Sequence, residues 1–141
     1  MALRYFTVDE ANALVPDLES ALAAARRHMD AMRDARDQLN DLRIVWADAI
    51  DDESNPDHAE YESYRRAFVE AEEALRDVMQ TIRTWGCEVK DAEAGLVDFY
   101  SKRGGEVVFL CWRAGESSVQ FWHTLAGGFA ARKPITRPST V

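Results

Sequence analysis

Apolar residues recur at alternating steps of four and three through the first part of this chain, and at every second position after residue 86. In the first regime Leu18, Leu22, Ala25, Met29, Met32, Leu39, Trp46 and Ile50 fall on one face, with Arg36 and Arg43 completing the series. That spacing predicts a helix that seams against another, the two arginines covering apolar surface with their stems while the charges stay wet. Ahead of it, Thr7-Val8-Asp9-Glu10 has the form of a capping box and predicts a short helix over Val8 to Leu14, with Pro16 opening the next. No Gly or Pro interrupts Asp17 to Ile50, a length of about 50 Å at the helical rise. Asp51 to Pro56 carries turn residues and an N-cap with Pro56 expected at the first position of the next helix, and Tyr61, Tyr64, Phe68, Ala71, Leu75, Val78, Ile82 and Trp85 then repeat the same rhythm up to Gly86. A connection this short makes the two long helices antiparallel neighbours.

After Gly86 the period is that of strands. Cys87 to Lys90 predicts a short one, and Asp91 to Gly95 a turn. Leu96 to Arg103 and Glu106 to Arg113 flank Gly104-Gly105, a pair that suits a two-residue hairpin turn because both residues take positive φ readily. A looser turn at Ala114 to Ser118 leads to a strand over Val119 to Thr124. The expected fold is α+β: a long, antiparallel, coiled-coil-like helical hairpin packed on a three- or four-stranded antiparallel β-meander. Residues 1–131 are expected to form a single domain, helical over 1–86 and sheet over 87–131, followed by a poorly ordered tail at 132–141.

Counting outward from the glycine pair places Asp98 opposite Cys111 and Phe99 opposite Leu110, and taking Ala114 to Ser118 as the second loop places Phe109 opposite His123. Parity then sorts the sheet. Val97, Phe99, Val108, Leu110, Trp112 and Trp122 share the face expected to meet the helices. Leu96, Asp98, Tyr100, Phe109, Cys111, Phe121 and His123 share the other, which mixes large apolar groups with ionisable ones. An aromatic face of that size is expected to be covered by a second copy of the chain or to line a pocket.

Composition narrows the picture. The net charge of −8 is unevenly spread: 6 basic and 9 acidic groups up to residue 50, 4 and 10 over 51–86, and 7 and 6 thereafter. An acidic surface disfavours nucleic acid, and Arg132, Lys133 and Arg137 are too sparse to reverse that. No stretch reaches the length of a membrane span, and the N-terminus lacks a secretory apolar core, so a cytoplasmic location is expected. Two cysteines without CxxC spacing fit that reducing compartment.

The candidate chemistry is the trio Asp98, Cys111 and His123, with Glu116 in the adjoining turn as a fourth ligand or a base. A carboxylate, a thiolate and an imidazole are acceptable ligands for a divalent transition metal such as zinc, and three protein ligands leave a position open for water. The competing account makes Cys111 a small buried hydrophobe and His123 a partner of Asp98 in packing. Cys111 as a nucleophile beside His123 requires a lowered thiol pKa and lacks a third group. The helical carboxylates, among them Glu60, Glu70 and Asp77, include no ExxH pair of the kind di-iron bundles use and read as a solvated face.

GLVDF (Gly95 to Phe99), LCWRAGE (Leu110 to Glu116), Trp122-His123 and GFAARKP (Gly128 to Pro134), with the opening YFTVDEANALVP, resemble the bacterial family known as domain of unknown function 2203 over nearly the whole chain. The resemblance implies a small helix-and-sheet domain without an established activity. Family members look similar at Asp91, Asp98, Cys111, Trp112, Glu116, Trp122, His123, Phe129 and Arg132. They often carry Gly-Arg where this chain has Ala131-Arg132, and Pro where it has Tyr100. The leading functional expectation is a homodimeric scaffold or protein-interaction module. The alternative is a metal- or small-ligand-binding protein or enzyme built on the Asp98, Cys111 and His123 face.

Overall fold

The computed structural model describes residues 3–136. Helix α1 spans Val8–Trp46 and α2 spans His58–Thr84; the strands are β1 (Glu88–Asp91), β2 (Leu96–Arg103), β3 (Glu106–Arg113), β4 (Phe121–Thr124) and β5 (Lys133–Pro134). The described residues form two compact units, one of 3–23 with 80–136 and one of Ala24–Met79, so the division falls inside both helices.

The capping box forms as the sequence predicts. Thr7 N–H donates to Glu10 Oε1 at 2.9 Å, and Glu10 N–H donates to Thr7 Oγ1 at 3.1 Å. The expected break at Leu14 does not occur, and Pro16 lies inside α1. Proline removes the N–H that would have met the Asn12 carbonyl, and its ring crowds that carbonyl. The apolar face made by Ala11, Val15, Leu18 and Leu22 is buried through this stretch and holds the helix continuous.

In the second unit, α1 gives way to a 3-10 turn, Ala47–Asp51, after Ala47 takes a positive φ of 48°. Arg43 clamps this turn, pairing with Asp51 at 3.0 Å and donating to the Tyr61 hydroxyl at 2.6 Å. Trp46 Nε1–H donates to Asp57 at 2.8 Å. Pro56 belongs to the turn and not to the first position of α2, because Asp52 accepts from Ser54 and Asn55 accepts from the Asp57 N–H, which keeps the chain coiled until His58.

In the first unit the strands are antiparallel in the order β1-β2-β3-β4-β5. Gly104 and Gly105 have φ of 56° and 82°, and Arg103 faces Glu106, so the hairpin register follows the count from the sequence. Five strands are present, not three or four. The additional one is β5, which pairs Pro134 with Phe121 and Lys133 with Trp122 inside the segment expected as a tail. The rest of that tail, 137–141, lies outside the described residues. The fourth strand begins at Phe121 and not at Val119, because the Val119 N–H is taken by Asn12 Oδ1 at 2.6 Å.

Val97, Phe99, Val108, Leu110 and Trp112 are buried on one face. Phe6 packs edge-on against Phe99 with ring centroids 5.1 Å apart. Its N–H donates to the Tyr100 carbonyl at 2.7 Å, while its carbonyl accepts from Ser101 Oγ at 2.6 Å. On the opposite face Asp98, Phe109, Cys111 and His123 are buried, while Leu96, Tyr100 and Phe121 are half-buried. Among the described residues, no helix is long and apolar enough to cross a membrane.

Candidate metal centre

Three neighbouring strands each supply one side chain to the second face. Asp98 sits mid-β2 directly opposite Cys111 of β3, and His123 of β4 faces Phe109, one diagonal step from Cys111. A carboxylate oxygen, the Cys111 sulfur and an imidazole nitrogen come within 4.8 Å of one another, and all three residues are buried. Tetrahedral zinc with bonds of about 2.0 to 2.3 Å spaces its ligands by about 3.4 to 3.8 Å, so drawing the widest pair together by about 1 Å completes the geometry. The mixed S, N and O donor set suits zinc, a borderline-soft ion.

The imidazole is held from behind. Nδ1 lies 2.7 Å from the Thr124 carbonyl and 3.2 Å from the Gly128 N–H, contacts that demand opposite protonation of that nitrogen. The shorter contact to an obligate acceptor puts the proton on Nδ1, which donates to Thr124. Nε2 then faces Asp98 Oδ2 at 3.1 Å, and a metal-ligating histidine has this same arrangement of a backbone-anchored nitrogen and an inward-facing one. With no metal bound, the imidazole and the carboxylate form a buried pair at this distance.

The thiol is protonated in that state. Burial pushes Cys111 up to about 12, and the Asp98 carboxylate adds to the effect both as a nearby charge and as the acceptor of the S–H. A thiol so raised is a poor free nucleophile. Arg132 opposes the shift through its charge and a hydrogen bond to the sulfur.

Glu116 does not join the cluster. Both of its oxygens lie 3.0 Å from Arg132 Nη1, and Oε1 also accepts the Arg113 N–H at 2.7 Å. The Arg132 guanidinium is in turn stacked between Phe121 and Phe129, 4.0 and 4.1 Å from the ring centroids. Glu116 therefore anchors the arginine beside Cys111 and is not a fourth ligand.

A pocket of about 270 Å³ opens onto the trio, walled by Leu96, Phe109, Leu125, Ala126, Gly128 and Phe129, with Lys90 at its edge. Lys90 is a residue the sequence reading passed over. The β1–β2 register slips between Val89 and Asp91, so Lys90 is the bulged residue, and its Nζ stands 4.8 Å from the centre of the Phe109 ring. Alternation of residue types carries no mark of such a slip. Arg132 was legible only as one charge in a sparse basic run, since its stacking partners are brought together by the fold.

No curated protein and no solved structure matches the chain. The family described as "Uncharacterized conserved protein (DUF2203)" matches residues 4–135, nearly all of the sequence, and the chain belongs to that family.

Proposed function

We propose that the protein binds a divalent transition metal, zinc being the best fit, through Asp98, Cys111 and His123, leaving a coordination position that opens to the adjoining pocket. The observation that carries this reading is the convergence of three different ligand types within 4.8 Å on one buried sheet face. The anchored imidazole supports it, because Nδ1–H to Thr124 directs Nε2 at the other two ligands. When bound, the metal would act as a Lewis acid toward a pocket ligand or a coordinated water. The chain's own residues contribute the orientation of the ligands, the exclusion of bulk water and, through Glu116 and Arg132, a fixed positive group beside the sulfur.

The competing account leaves His123 and Asp98 as a buried hydrogen-bonded pair and Cys111 as packing. Cobalt(II) titration separates the two. The metal reading requires a thiolate-to-cobalt charge-transfer band that saturates at one equivalent, disappears in Cys111→Ser, and needs at least about 100-fold more metal in Asp98→Asn. A folded wild-type protein with no such band contradicts it.

The interaction-module reading has one observation of its own. Ile44 and Val45, adjacent near the end of α1, are 80% and 70% exposed. We propose the homodimer contact there, on an antiparallel coiled-coil-like hairpin. The acidic surface and the two free, buried cysteines support a cytoplasmic location without nucleic acid or membrane partners. Light scattering showing a dimer that Ile44→Glu dissolves supports this arrangement, and a wild-type monomer contradicts it.

A further inference from the structure

Building on the metal reading, we infer that the pocket beside the trio takes a small organic monoanion, a carboxylate bearing an apolar group, whose oxygen fills the open metal position.

The walls decide the body of the ligand. Leu96, Phe109, Leu125 and Phe129 surround a space of about 270 Å³, so the part of the ligand away from the metal gains most by being apolar. The head is decided by charge. Asp98 is the one carboxylate among the lining residues, and it is committed to the metal. A divalent ion neutralised by one carboxylate and one thiolate keeps affinity for an anionic oxygen in its remaining position.

Lys90 supplies the second contact. The bulge in β1 carries its ammonium to the pocket edge above Phe109. Glu88 holds it at 2.7 Å, but both side chains are more than 40% exposed, so this pair is loose and leaves ammonium protons for a ligand. A single ammonium suits a monoanion. A phosphate dianion is best matched by a forked guanidinium, and no arginine lines the pocket; Arg132 lies outside the lining and gives Nη1 to Glu116.

The test uses the cobalt-loaded protein and benzoate as the probe, with acetate and benzamide for comparison. Benzoate is expected to perturb the visible cobalt bands saturably. Acetate, lacking the apolar body, and benzamide, lacking the charge, should each require at least about tenfold more. Lys90→Gln should weaken benzoate about fivefold while leaving cobalt affinity unchanged, since the side chain is exposed and is not a ligand. A cobalt-loaded protein whose spectrum ignores benzoate, or answers acetate and benzoate alike, overturns the inference while leaving the metal reading intact. So does a Lys90→Gln variant that binds benzoate as the parent does. Absence of the cobalt–thiolate band instead sinks the metal reading, and this inference with it.

Discussion

The proton on Cys111 is the residue-scale fact with the widest consequences. In the unfolded chain this thiol ionises near 9.0, and in the fold burial and Asp98 hold it to about 12. The folded state therefore binds more protons between those values, and the stability it gains is intact below pH 9 and lost as pH climbs toward 12. Denaturant midpoints measured from pH 8 to 11 should fall across that window, and Cys111→Ala should flatten part of the fall; an unchanged slope would contradict the buried, protonated thiol. Cys87, raised by burial to about 11, accounts for a further share of the slope and remains in that variant. Asp98, Cys111 and His123 were legible in the sequence because parity around Gly104-Gly105 is a local count. The role of Glu116 was not, because it depends on Arg132 arriving from sixteen residues away between two aromatic rings.

At the scale of elements, two substitutions separate local preference from tertiary demand. Pro16 is exposed in the interior of α1, where it forfeits a backbone hydrogen bond that the packed face outweighs. Pro16→Ala restores that bond and should stabilise the protein by about 1 to 3 kcal/mol in chemical denaturation. A destabilised variant would mean that the helix needs the distortion. Gly95 has the opposite character. Its φ is 73°, its carbonyl accepts the Ala114 N–H at 2.9 Å, and a Cβ there would lie 2.5 Å from that of Ala114. This contact ties the turn after β1 to the turn after β3, so Gly95→Ala should cost about 2 to 3 kcal/mol. The long helices, the glycine turn and the three inner strands could be read from periodicity, which persists over many residues. The two-residue β5 and the bulge at Lys90 could not, because neither is long enough to establish a period.

For the whole molecule, one unit holds Asp98, Cys111 and His123 together, and the segment after β4 lines the pocket beside them, leaving Leu96, Tyr100 and Phe121 half-buried. If the face is a metal centre, the ion links three strands that the unfolded chain leaves far apart, and loading should raise stability by mass action, by about 2.7 kcal/mol at a hundredfold excess over the dissociation constant. A chelator should remove that increment without unfolding the protein, since Val97, Phe99, Val108, Leu110 and Trp112 form a buried apolar core on the other face of the sheet.

The most direct test is elemental analysis of protein exposed to zinc and then dialysed, alongside circular dichroism of each sample. Wild type should retain one zinc per chain and Cys111→Ser none, with the same secondary structure in both. Folded wild-type protein that retains no zinc, or a Cys111→Ser variant that retains as much as wild type, would contradict the assignment of Asp98, Cys111 and His123 as a metal centre.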